Sequence, residues 1–312
     1  MIAAALALAL FALVLAWPAP LLLARARWPL RAPASALALW QAMALAGALA
    51  MIGSLLVFGL GPYGGDLVRG ILAFLEHLAG GSAPAGAAFV HFLCVSAAVI
   101  LTGHLLLNLV MALAQVERAR RRHADLLALL SQPHPDRPMT RMLDVDAPVA
   151  YCLPGAVRSI TVLSNGLASR LTALQLRGVV EHERTHARQR HHLVLIAFRA
   201  WRAALPWLPT ATLAYRTVAL LVELLADDRA RTVVTDADLR ASIELVATGH
   251  LFGRAEQTDP TSSTSAWTTT ARIERLGTAR SRLSRGAQGA ALAVAVALLA
   301  VPTLLLMHSV VG

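Results

Sequence analysis

The run His182-Glu183-Arg184-Thr185-His186 sets two imidazoles four residues apart with a carboxylate beside the first. On a helix that turns about 100° per residue, the two histidines lie one turn apart on the same face. Both can therefore hold one metal ion, while Glu183 points toward a water on that ion. A zinc site for hydrolysis uses three protein ligands and leaves one position for water, whose pKa falls to about 7. The third ligand must come from elsewhere, and Glu223-Leu224-Leu225-Ala226-Asp227 offers it. Glu223 and Asp227 are again one helical turn apart. Glu223 can complete the ligand set, and Asp227 can accept a hydrogen bond from the far nitrogen of a ligating histidine, fixing its tautomer. Asp228, beside Arg229 and Arg231, reads as a solvated helix end. By wheel arithmetic His191 lies about 180° and His192 about 80° from His182, which makes both surface or membrane-interface residues.

These side chains need elements to carry them. Thr172 and Gln175 have capping-box spacing, so a helix begins there and runs through Leu174, Val179 and Val180 into the histidine pair. A second helix pattern covers Ala211 to Arg231. Ala147 to Leu163 alternates loosely around Pro154-Gly155 and predicts a β-hairpin that Ser164-Asn165-Gly166 ends. The edge of its Ala156 to Leu163 strand is the expected seat for an extended substrate. Thr258 to Thr270, rich in Ser and Thr with Pro260, predicts a mobile loop.

The frame around them is apolar. The chain is 57% hydrophobic and 15% charged, with a mean hydropathy of +0.60, outside the balance of a soluble domain. Four stretches without Asp, Glu, Arg or Lys are long enough to cross a bilayer: Ile2 to Leu23, Ala36 to Leu60, Ala87 to Gln115 and Ala287 to Val311. The net charge of +10 contains no Lys, and its arginines cluster beside these spans. That placement fits the positive-inside bias and argues against direct nucleic-acid binding. Arg25, Arg27 and Arg31, Arg118 and Arg120 to Arg122, and Arg280, Arg282 and Arg285 all mark one side as cytoplasmic. Asp66 to Ala79 predicts an interfacial helix on the other side. Cys94 and Cys152 fall in a span and a polar region, so no disulfide joins them in this reading. His91, Thr102, His104 and Asn108 inside the third span read as interhelical hydrogen-bonding groups.

Ser164 to Leu167, Leu171 to Val180 and the histidine pair together resemble the membrane metallopeptidases of the BlaR/MecR type. In the same order, Pro206-Trp207-Leu208-Pro209 is similar to that family's Trp-Pro step, Glu223 to Asp227 to its acidic motif, and Arg272 to Leu276 to its segment before the last span. The resemblance covers roughly residues 87 to 312. It implies a mainly α chain, with four transmembrane helices and a cytoplasmic α+β zincin-like metalloprotease domain. Residues 1–115 would hold three spans and an extracellular loop near 61–86, residues 116–286 the protease domain, and residues 287–312 the fourth span. The site would be a gluzincin centre in which His182, His186 and Glu223 bind Zn2+, Glu183 is the general base and Asp227 stands behind a ligand. The activity implied is zinc endopeptidase cleavage of a cytoplasmic BlaI-like repressor, from the plasma membrane of a bacterium. Members commonly carry Asp where this chain has His191, which leaves the outer support of the site open. With no Lys, a Ser-x-x-Lys acylation motif cannot occur, so no penicillin-binding sensor is expected. An HtpX-like quality-control protease and an inactive receptor or scaffold are the competing readings.

Overall fold

A computed structural model describes residues 1–80, 84, 86–133, 140–153, 160–252, 261–277 and 283–311. The chain is mainly helical with one small sheet, and it divides into two compact units. One contains residues 1–110, 200–214 and 283–312, and the other residues 111–199 and 215–282.

In the first unit, α1 (Ile2–Ala16) stops at Trp17, where Pro18 opens α2 (Pro18–Arg25). Proline has no N–H to give and a fixed φ, so it starts a helix at no cost where one has just ended. α1 and α12 (Arg285–Val311) pack against α3 (Pro33–Leu60). Small residues permit the approach: a Cβ on Gly53 would come within 2.8 Å of Leu306. α4 (Leu67–Leu78) begins at the predicted interfacial helix, with the Asp66 side chain accepting from the Arg69 amide at 2.8 Å. Its apolar residues divide: Leu67 and Phe74 join the core with Leu8, Val57 and Leu60, while Val68, Ile71, Leu72 and Leu75 are exposed. The first part of α5 (Phe89–Leu130) carries His104, whose Nε2 lies 2.9 Å from the Ala204 carbonyl, and Asn108 donates to the His104 carbonyl. His104 and Asn108 therefore serve as interhelical and intrahelical hydrogen-bonding groups. Cys94 is a free thiol, and the Cys152 side chain lies outside the described residues.

The second unit holds a four-stranded sheet of order β1-β2-β4-β3: β1 (Ser131–Pro133), β2 (Thr140–Leu143), β3 (Ala150–Leu153) and β4 (Ile160–Ser164). β3 and β4 form the antiparallel pair anticipated as a hairpin, while the Pro154-Gly155 turn lies outside the described residues. β4 also pairs in parallel with β2, which corrects the expectation that the second hairpin strand is an edge. β3 is the edge on that side of the sheet. After β4, Ser164 caps the short α6 (Asn165–Ala168) and binds the backbone of Ala147 and Val149. Gly166 sits so close to Asp146 that a Cβ would meet its carbonyl at 1.9 Å, so no larger residue fits there.

α7 (Ala173–Arg188) packs on β3 and β4, with Val179 in a core of Ala150, Leu163 and Leu167. α8 (His191–Ala204) and α9 (Pro209–Ala230) follow, then α10 (Asp236–Phe252) against α7 and α11 (Thr261–Leu276) against α10. α11 corrects the loop predicted for 258–270: residues 261–270 are helical, and 258–260 lie outside the described residues. Its apolar positions Ile273 and Leu276 pack against Val234, Leu239 and Ile243, which stabilises the helix by tertiary contact.

Among the described residues, five helical segments are long and apolar enough to cross a membrane: Ile2–Arg25, Pro33–Leu60, Phe89–Leu130, Pro209–Ala230 and Arg285–Val310. Four coincide with the stretches read from the sequence. The fifth is α9, half of whose apolar window is buried within the protein.

Candidate active site

α7 starts where the sequence places it. The Thr172 hydroxyl accepts from the Gln175 amide at 3.2 Å, and the Gln175 side chain accepts from the Thr172 amide at 3.0 Å. This capping box fixes the helix register, and with it the face that His182 and His186 share. Gly178, one turn earlier, brings α7 close to Val234: a Cβ there would lie 2.9 Å from a Val234 methyl.

The two imidazoles converge. His182 Nε2 and His186 Nε2 are 3.1 Å apart. Glu223 Oε2 lies 3.4 Å from the first and Glu223 Oε1 3.4 Å from the second. Atoms bound tetrahedrally to one zinc at about 2.0–2.1 Å stand about 3.3 Å from one another. The observed separations match that figure, and two imidazoles with one carboxylate are a donor set that zinc accepts. Among the described residues, His182, His186 and Glu223 are the group that could hold a metal ion.

Around this group the charges are ordered. Asp227, 1% exposed, places Oδ1 3.0 Å from His182 Nδ1, an electrostatic contact at the far side of that ring. Arg272 of α11 clamps both acidic residues of α9. Its Nε and Nη2 donate to the two Asp227 oxygens at 2.8 and 2.7 Å, and its Nη1 lies 3.0 Å from Glu223 Oε2. The guanidinium, 14% exposed, is held further above its ordinary range by those carboxylates, against the opposing effect of burial. Burial pushes His186 down to about 4. For His182, burial and Arg272 also push downward, but the Asp227 and Glu223 carboxylates outweigh them and the ring rises to about 9.

A cavity of about 330 Å³ opens over these groups. Glu183 lines it with His182, His186, Glu223 and Arg272, and its other walls include Ala150 of β3, Val179, Leu239, Ile243 and Val246. The arrangement can therefore present a carboxylate beside a triad that could hold a metal ion, next to an apolar wall and the end of an edge strand.

Two sequence expectations change. His191 is not on the surface: it is 2% exposed, and its Nδ1 lies 3.0 Å from His186 Nδ1. The wheel assumed one continuous helix, whereas α7 ends at Arg188 and the chain turns through Arg190 at φ 51° before α8 begins. Asp228 is not simply solvated, since Arg275 of α11 pairs with it at 2.7 Å. Arg272 was visible only within a five-residue resemblance; one Arg among 28 basic residues carries no local signal of a tertiary partner. His192 stays at the margin, partly buried beside Arg120 and Ile196.

Residues 113–223 match the model of Peptidase family M48. The match takes in His182, Glu183 and His186 and ends on Glu223; Asp227 and Arg272 lie beyond it. It covers about a third of the chain and supports an M48 metallopeptidase, a hydrolase whose family uses zinc. No curated protein and no solved structure matches the chain. The M48 match, like the long apolar helices, is consistent with a protease of the membrane type.

Proposed function

We propose that the chain is a membrane-embedded zinc endopeptidase that cleaves a cytoplasmic repressor of the BlaI type in response to a signal. The observation that carries the hydrolase reading is the convergence of His182, His186 and Glu223 on one cavity that Glu183 also lines. Zinc held by those three residues would supply a Lewis acid that polarises the peptide carbonyl and acidifies water. Glu183 acts as general base, taking a proton from the attacking water and passing it to the leaving amine nitrogen. Asp227 orients His182, and Arg272 holds the Glu223 and Asp227 carboxylates in place. An extended substrate adds to the β3 edge, whose Ala150 lines the cavity, instead of to β4.

The repressor as substrate rests on the resemblance carried by Ser164 to Leu167, the Pro206 to Pro209 step and Arg272 to Leu276. The flanking arginines support a cytoplasmic site. Without Lys, these residues cannot form the acyl-sensor motif.

The test is cleavage of a BlaI-type repressor by the purified full chain, with and without chelator, beside Glu183→Gln. The variant should retain zinc and lose roughly 10²–10⁴-fold in rate. Undiminished cleavage by Glu183→Gln would refute the assignment of the base. Chelator-sensitive cleavage of other proteins with the repressor left intact would refute the substrate.

A further inference from the structure

We propose that His191 is a positioning residue for His186, holding the second metal-binding imidazole through an uncharged hydrogen-bond chain that ends on Gln189. The inference rests on His186 being a ligand, as in the function proposed above.

The backbone makes the contact possible. Gln189 and Arg190 form a turn between α7 and α8, and Arg190 takes a left-handed φ of 51°. For a residue with a Cβ that conformation costs about 1–2 kcal/mol, so the surrounding structure must hold it. Its effect is to reverse the chain and bring His191 back against the last turn of α7. The His186 and His191 rings meet edge to face, with centroids 4.9 Å apart and planes at 83°.

The hydrogen bonds can then be assigned by counting. His186 Nε2 faces His182 Nε2 at 3.1 Å and Glu223 at 3.4 Å, so its lone pair is required there. A neutral imidazole then carries its proton on Nδ1. That N–H has an acceptor 3.0 Å away, His191 Nδ1. His191 in turn must carry its proton on Nε2, where the Gln189 Oε1 accepts it at 3.0 Å. Every donor finds one acceptor and no group needs a charge. Both ring nitrogens of His191 are engaged in this chain, so it orients a ligand and is not a ligand itself.

The two metal-binding histidines are thus supported differently. His182 has the Asp227 carboxylate behind it, whereas His186 has a neutral ring. Residues in this position commonly fix the orientation and basicity of a ligand, and their loss costs about 10–100-fold in metal affinity.

The experiment measures zinc affinity of the full chain in detergent by chelator competition, with the visible absorption of the cobalt-substituted protein as a second readout. His191→Phe fills the same space without an acceptor and should weaken zinc binding by about 10–100-fold and alter the cobalt bands. His191→Asp and His191→Asn restore an acceptor and should recover most of both. Gln189→Leu, on the exposed turn, tests the same chain without disturbing the core and should weaken binding by less than His191→Phe. Wild-type affinity and spectrum in both His191→Phe and Gln189→Leu would overturn the proposal, as would Asp and Asn variants no better than Phe. Absence of zinc from the wild-type chain would instead overturn the metal reading itself, and the role of His191 with it.

Discussion

His182 and His186 share a helix face but meet opposite surroundings. Burial holds His186 down at about 4, leaving its lone pair free at neutral pH. The Asp227 and Glu223 carboxylates, acting against burial and Arg272, hold His182 up at about 9, so the metal-free ring keeps its proton at pH 7. A metal must displace that proton. Affinity should therefore fall as pH drops below about 9, by about tenfold per unit, with about one proton released per ion bound at pH 7. Calorimetry in buffers of different ionisation heat measures the release, and an affinity unchanged between pH 6 and 8 would contradict it. At this scale the sequence was legible where chemistry depends on local spacing. The i, i+4 pairs on α7 and α9 follow from helix geometry alone. His191 was misplaced because Arg190, neither Gly nor Asn, gives no sign of a left-handed turn.

At the scale of elements, the site depends on how closely α7 meets the turn between α9 and α10. Gly178 lies one turn before His182, and its missing side chain is what lets Val234 approach. Gly178→Leu should improve the helix by about 1 kcal/mol in propensity. Overpacking against stiff Val234 costs about 1–3 kcal/mol, more with a side chain as large as Leu, so the net change is destabilising. Thermal denaturation in detergent should show a lower midpoint, and a raised midpoint would show that the α9–α10 turn yields freely. The capping box at Thr172 and the β3–β4 pairing were legible because their signals lie within a few residues. The parallel β2–β4 pairing was not, since nothing in either short strand encodes a partner reached by crossover. α11 was also missed: its helix is stabilised by Ile273 and Leu276 in a core with Val234, Leu239 and Ile243, and by the pairing of its Arg272 and Arg275 with Asp227 and Asp228 of α9, none of which appears in its Ser and Thr content.

For the whole molecule, composition alone indicated an apolar chain with long helices, and the structure has them. Sequence windows could not settle α9, because a helix buried in protein and one buried in lipid have the same apolar content. Arginine placement predicts that the site faces the cytoplasm. A cysteine at exposed Arg184, with Cys94 and Cys152 replaced, should react with an impermeant reagent only after the cells are opened. Labelling of intact cells would reverse the orientation. Whether two helices distant in sequence build one metal centre is read from the zinc content of the purified full chain and of Glu223→Ala. The wild-type chain should carry about one zinc, and the variant should lose most of it. A wild-type chain without zinc, or a Glu223→Ala chain that holds it as tightly, would mean that His182, His186 and Glu223 do not form such a centre.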